Sequence, residues 1–240
     1  MSVPEPLLRI EELEVAYGDF QVLWGVSLSV REAEVVCLLG PNGAGKSTVM
    51  NATTGLVARN GGRIVFAGED LFGIPTHQIA ARGLGHVLER RRLFPTLTVR
   101  QNLLLGAYSP SARVRRAESL AWVESLFPVL AERKDQLAGT MSGGQQQMVA
   151  IARGLMARPR LLMIDEPFLG LSPKVVDEIL AIVERVNREG VAVLFTEQNV
   201  QLALSVSSRG YLLESGRIVL EGSGREMLQH ETVRQVYLGL

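Results

Sequence analysis

Lysine is scarce in this 240-residue chain, standing only at positions 46, 134 and 174, and Cys37 is its single cysteine. One cysteine excludes an internal disulfide, and the scattered His77, His86 and His230 show no spacing suited to a structural metal. Basic and acidic residues balance at 25 each, so no global positive field exists to recruit nucleic acid or anionic lipid. Long apolar runs are missing as well: stretches such as Val35 to Leu39 and Leu161 to Ile164 fall far short of the ~20 residues of a membrane-spanning helix. The opening MSVPEPLLRIEE has neither the basic nor the apolar region of a signal peptide, and a reducing cytoplasmic setting is expected. What is present is an ordinary globular balance, 47% hydrophobic and 21% charged, which sets aside a disordered or fibrous chain.

The patterning predicts strands at Leu7 to Tyr17 and Val22 to Val30 around a turn at Gly18-Asp19. Val35 to Leu39 is apolar throughout and meets glycine, as a strand buried on both faces would. Further strands are expected at Arg63 to Ala67, Leu84 to Leu88, Leu161 to Ile164, Val191 to Phe195, Tyr211 to Leu213 and Ile218 to Leu220. Helices are expected at Lys46 to Leu56, Ala112 to Leu126 and Gln145 to Ala157, the last with Met148, Ile151, Ala152 and Leu155 on one face. A helical tail is expected at Glu226 to Leu240. No linker or internal repeat divides the chain, so residues 1–240 read as one α/β domain: a mainly parallel core interrupted by helices at about 90–157. Trp24, Trp122 and Met141, Met148, Met156 and Met163 are assigned to core or packing rather than to ligand contacts, and Cys37 to an inert place in a buried strand.

Gly40-Pro-Asn-Gly-Ala-Gly-Lys-Ser-Thr48 fits G-x-x-x-x-G-K-[ST] between an expected strand and an expected helix, the context that defines a phosphate-binding loop. Gly40, Asn42, Gly43, Ala44 and Gly45 would let backbone N–H groups wrap phosphates at a helix N-terminus. Lys46 would reach the β- and γ-phosphates, Ser47 would ligate magnesium, and Thr48 would close the loop. Neither Lys134 nor Lys174 follows an asparagine, which removes the Asn-Lys-x-Asp guanine reader and favours adenine. A second apolar run delivers Asp165-Glu166-Pro167 to a strand's C-terminal edge, where ligands bind in open α/β sheets. Asp165 suits a magnesium ligand, and Glu166 suits the base that orients or deprotonates an attacking water.

Met141-Ser-Gly-Gly-Gln145 opens an amphipathic helix with two glycines and a serine, a second anion nest, with Ser142 as its cap. With this string the chain resembles an ATP-binding cassette ATPase over nearly its whole length. The resemblance implies a P-loop NTPase of RecA-like α/β fold with an N-terminal antiparallel β subdomain and an inserted α-helical subdomain at about 90–157. It also implies ATP and Mg²⁺ as cofactors. Ser142, Gly143, Gly144 and Gln145 would then meet ATP held by a second ATPase subunit, or a second copy, in a head-to-tail sandwich. Tyr17 matches the aromatic position that stacks on adenine. Three positions depart from the family pattern. Glu89 stands for the usual glutamine as a magnesium or water ligand, Gln198 for the switch histidine, and Ser172 for the aspartate of the D-loop.

Glu89 with Arg91-Arg92-Leu-Phe-Pro95, Glu166 to Pro173, and Glu197-Gln198-Asn199 resemble one of the two ATPase subunits of bacterial branched-chain amino acid importers. The implied partners are a second ATPase, two transmembrane permeases and, indirectly, a periplasmic binding protein, with no nucleic acid. The implied place is the cytoplasmic face of the inner membrane, as a peripheral subunit. Two alternatives stand beside this: an ATP-binding regulatory subunit with a weak hydrolytic site, since glutamine cannot carry the charge open to histidine, and the ATPase of a urea or amide importer. Arg90-Arg91-Arg92 reads as a solvated turn or a surface for a permease helix.

Overall fold

The structure, a computed structural model, describes residues 5–238. Strands β1 (Leu8–Tyr17), β2 (Phe20–Val30) and β3 (Val35–Leu39) lead to helix α1 (Lys46–Thr53). There follow β4 (Gly61–Phe66), β5 (Glu69–Asp70), α2 (Thr76–Ala81) and β6 (Leu84–Val87). Helices α3 (Val99–Gly106), α4 (Pro110–Val114), α5 (Arg116–Leu126), α6 (Pro128–Glu132) and α7 (Gly143–Leu155) separate β6 from β7 (Leu161–Ile164). The chain closes with α8 (Pro173–Arg188), β8 (Ala192–Glu197), α9 (Val200–Val206), β9 (Arg209–Glu214), β10 (Arg217–Ser223) and α10 (Gly224–Gln229).

Two sheets form. One is antiparallel, in the order β2-β1-β4-β5; the other runs β10-β9-β3-β8-β7-β6, parallel except for the β9–β10 hairpin. The apolar run of β3 is explained by two-sided burial. Val35, Cys37 and Leu39 face the helices, while Val36 and Leu38 face the antiparallel sheet. β7 divides in the same way, with Leu162 and Ile164 on the helical side and Leu161 and Met163 on the other. Because β3, β7 and β8 are parallel neighbours, their C-terminal ends share one edge, which brings Gly40, Asp165 and Gln198 together. Burial pushes the Cys37 thiol up to about 12, which fits its inert role.

Several boundaries differ from the sequence reading for identifiable reasons. α1 stops at Thr53, not Leu56, because Gly55 takes φ +69° and its N–H and that of Leu56 return to Ala52 O and Asn51 O, a Schellman closure. The helix expected at Ala112 to Leu126 is two helices: Ser109 and Pro110 start a short one, and the chain turns at Arg115, whose guanidinium folds forward onto Glu118. The tail starts at Ser223, which caps α10 through Glu226, and breaks at His230 before a π-helical turn at Val233–Leu238; residues 239–240 lie outside the described residues. Trp24 is not core but 46% exposed, under the Arg217 guanidinium. Trp122 is half-buried beneath Arg158, while all four assigned methionines are buried.

His86 on β6 supplies a measurable pH dependence. Its Nδ1 lies 3.2 Å from Thr54 Oγ1, its Nε2 is buried without a partner among the described residues, and burial pushes its imidazole down to about 4. Protonation is thus disfavoured in the folded state only, so this contribution to stability is complete above pH 6.5 and is lost as pH falls toward 4. Urea titrations of wild type and His86→Leu should diverge between pH 7.5 and pH 5, wild type losing about 2 kcal/mol more. Parallel pH profiles would show that His86 is not held neutral by the fold.

Candidate functional site

Gly40 and Gly45 shape the loop after β3. A Cβ on Gly40 would sit 2.2 Å from Leu213 O, and Gly45 holds φ +109° with its α-hydrogens against Leu23 and Leu213. Only glycine brings the chain this close and reverses it into α1. Among the described residues no side chain caps the start of α1, so its first N–H groups remain available to a ligand at the positive end of the helix dipole. The loop opens onto a cleft of about 450 Å³ lined by Tyr17, Asn42, Gly43, Gly45, Lys46, Ser47, Thr48, Glu89, Glu166 and Gln198, with Val22 and Leu169. Ala44 is buried under the loop and Gly40 behind it.

Charged groups within the cleft are already engaged. Lys46 Nζ donates to Gly40 O (2.9 Å) and Pro41 O (3.2 Å) and lies 3.3 Å from Glu166 Oε1. Gln198 Nε2 donates to both Glu166 oxygens, at 3.1 and 3.2 Å. Glu166 itself sits at φ +48°, a left-handed conformation costing ~1–2 kcal/mol for a residue with a Cβ. Its backbone is fixed by the bond from its N–H to Thr196 Oγ1, 2.9 Å. The same hydroxyl donates to Asp165 Oδ1 at 2.6 Å. Burial pushes the Asp165 carboxyl up, against the opposing hydrogen bonds from Thr196 and Ser47. Burial likewise raises Glu197, although its carboxylate accepts the N–H groups of Gln198, Asn199 and Phe168.

The string at Ser142 lies apart from this cleft. Ser142 caps α7 in a capping box with Gln145, at 3.4 and 3.3 Å, and Ser142 and Gly143 are exposed. None of Ser142, Gly143, Gly144 and Gln145 lines the loop's cleft. The ABC transporter family model matches residues 23–169. The chain belongs to the ABC transporter family. It is an ATP-binding cassette ATPase, the ATP-binding subunit of a transporter. It is 43% identical over 233 residues to the high-affinity branched-chain amino acid transport ATP-binding protein BraG of Pseudomonas aeruginosa, covering 97% of this chain and 100% of that one. It is 37% identical over 238 residues to the lipopolysaccharide export system ATP-binding protein LptB of Haemophilus influenzae, covering 97% of each. Among solved structures it is similar to the ADP conformation of MJ1267, an ATP-binding cassette of an ABC transporter, at TM-score 0.87 and 28% identity, covering 99% of this chain and 100% of that one.

For this ABC cassette, the residues around the two carboxylates were not all legible from motifs. Thr196 and Glu197 do their work through β8 lying beside β7 and β3, a pairing the linear sequence does not state. Their signal is polar side chains at the end of an otherwise apolar strand, with Glu197 also part of the Glu197-Gln198-Asn199 string. Asn102 was also missed. Fully buried on α3, it accepts from Phe94 N (3.0 Å) and donates to Phe94 O (3.0 Å) and Thr98 O (3.0 Å), clamping the segment after Glu89. That segment is strained: Arg90, Arg91 and Arg92 hold φ of 60°, 64° and 45°.

Proposed function

We propose that this cassette is the hydrolytic subunit of an importer whose permeases carry branched-chain amino acids. The observation that carries its hydrolytic role is the Glu166 carboxylate held at the lip of the cleft by Lys46 and Gln198. In this reading ATP displaces Glu166 from Lys46, the phosphates take the lysine and the free N–H groups of α1, and Tyr17 stacks on adenine. Glu166, released but still oriented by Gln198, accepts the proton of the attacking water. The Asp165 carboxylate and the Ser47 hydroxyl, already neighbours, suit a hard divalent cation such as Mg²⁺, with Glu89 at the same cleft. Among the described residues no cluster of three acidic, histidine or cysteine side chains stands ready for a metal, which fits an ion shared with phosphates. Such an ion would neutralise charge on the transferring phosphoryl group.

Ser142 and Gly143 are exposed, and the nest from Ser142 to Gln145 lies outside the lining of its own cleft, as a group serving a second cassette in a head-to-tail sandwich would. Residues 90–157 act as a helical subdomain within a single domain, 1–240. A groove of about 500 Å³ between β6, α3 and α7, with half-exposed Phe94, Leu105 and Tyr108, suits a permease helix. No helix among the described residues is long and apolar enough to cross a membrane, which fits a peripheral subunit on the cytoplasmic face of the inner membrane. A periplasmic binding protein would feed the permeases and never touch this chain. The amino acid assignment leans on BraG, the LptB likeness being lower and the cassette having no contact with solute.

Uptake of labelled leucine, isoleucine and valine by cells lacking this chain tests the assignment. Loss of uptake restored by wild type is the expected result. Undiminished uptake together with a defect in urea uptake or lipopolysaccharide export would move the subunit to another transporter. A regulatory role is the second reading, favoured by uncharged Gln198 where the family has histidine. It requires turnover by the mixed ATPase pair to survive loss of Glu166.

A further inference from the structure

Beside the nucleotide cleft lies a smaller pocket of about 240 Å³, joined to it through Glu89, Glu166 and Leu169 and closed by Arg91 and the first turns of α7. Its charges are unevenly matched. Glu89 pairs with Arg90 at 3.5 Å and Glu166 with Lys46 at 3.3 Å, whereas Arg91 makes no ion pair or side-chain hydrogen bond among the described residues. Gln147, which also lines the pocket, is 5% exposed, and its amide likewise has no hydrogen-bond partner among the described residues. That amide is the polar end of an otherwise buried side chain, able both to donate to and to accept from a ligand in the pocket.

The position of Arg91 is fixed rather than incidental. Its carbonyl and that of Arg92 accept from Arg153 Nη2 at 3.3 and 2.9 Å, and the left-handed conformation of residues 90–92 turns the chain toward α7. There the guanidinium lies against Gly143, where a Cβ would come within 3.2 Å of Nη2. A cation at a helix N-terminus opposes the helix dipole, and an anion beside the guanidinium on the pocket side would offset that repulsion.

We propose that this pocket binds the inorganic phosphate released by hydrolysis, with Arg91 and Gln147 as its ligands. The inference rests on the hydrolytic reading given above. When water attacks the γ-phosphorus, a P–O bond forms, the bond to the bridging oxygen breaks with its electron pair leaving on ADP, and the water proton passes to Glu166. The phosphate anion is thus set free beside the shared wall of the two pockets, where Arg91 is the cation that makes no ion pair among the described residues.

The test is a titration of the MgADP-loaded full-length chain with inorganic phosphate, followed by ³¹P NMR, alongside ATP turnover of the same preparations. Arg91→Gln should weaken phosphate binding at least about tenfold, the loss of one charge-assisted hydrogen-bonding group. Gln147→Leu should weaken it by about threefold, the loss of one neutral hydrogen bond, and Arg91→Lys should restore most of the affinity. Phosphate held by the loop at Lys46 instead would be indifferent to Arg91, so unchanged affinity in Arg91→Gln overturns the proposal. Wild type that turns over ATP yet binds no phosphate overturns it too. Absence of ATP turnover in wild type mixed with its second ATPase subunit would count against the hydrolytic reading alone, with the titration still deciding the pocket.

Discussion

Glu166→Gln is expected to lower steady-state ATP turnover by about 10²–10⁴-fold, the contribution of a positioned general base, while ATP binds more tightly than to wild type. The two effects have one cause. Glu166 lies 3.3 Å from Lys46 Nζ, so it competes with the phosphates that this lysine would hold. An amide of the same shape keeps a partner in Gln198 but neither takes the water's proton nor holds the lysine by charge. Loss of the pair should cost modest stability without nucleotide, since Lys46 keeps the Gly40 and Pro41 carbonyls, and added ATP should restore it. Phosphate release and nucleotide affinity measured on the same preparations separate the cases. Turnover within about threefold of wild type would remove Glu166 from the role of base, because loss of such a group costs far more. Turnover and affinity lost together would make it a structural residue of the loop.

What could be read from the sequence depended on how local each feature is. The loop from Gly40 to Thr48 is contiguous, and Gly40 and Gly45 answer to contacts with Leu213 and Leu23 that a residue with a Cβ would violate. The unbroken apolar run of β3 likewise announced burial on both faces, since alternate residues enter two separate cores. The helix break at Arg115 had only a Ser109-Pro110 start as its mark, and periodicity carried the pattern across it. A large aromatic on a strand such as Trp24 suggests core, whereas here the Arg217 guanidinium covers its face at the surface. The carboxylates of Asp165 and Glu166 were legible as a strand ending in acids. What holds them was not, because the hydroxyl of Thr196 reaches them from 30 residues away across a strand pairing.

Replacing that hydroxyl tests how the two acids are held. Thr196→Val keeps the shape of a fully buried side chain but removes the donor to Asp165 Oδ1 and the acceptor for Glu166 N–H. Two buried groups lose their partners at about 1–3 kcal/mol each, so unfolding free energy should fall by ~2–5 kcal/mol. The pH dependence identifies the mechanism. Burial already raises Asp165, and the Thr196 bond opposes that rise; without it the folded state holds the Asp165 proton more tightly than the unfolded chain does. The folded state then binds more protons between the two values, so stability declines as pH rises through that window, and the variant's deficit grows from acid toward neutral pH. Turnover should move oppositely, recovering as pH rises and Asp165 regains the charge needed to ligate a cation. Thr196→Ser, which retains the hydroxyl, should stay near wild type in both respects. Equal losses in the serine and valine variants, or a deficit that does not vary with pH, would show that packing at Thr196 matters and its hydrogen bonds do not.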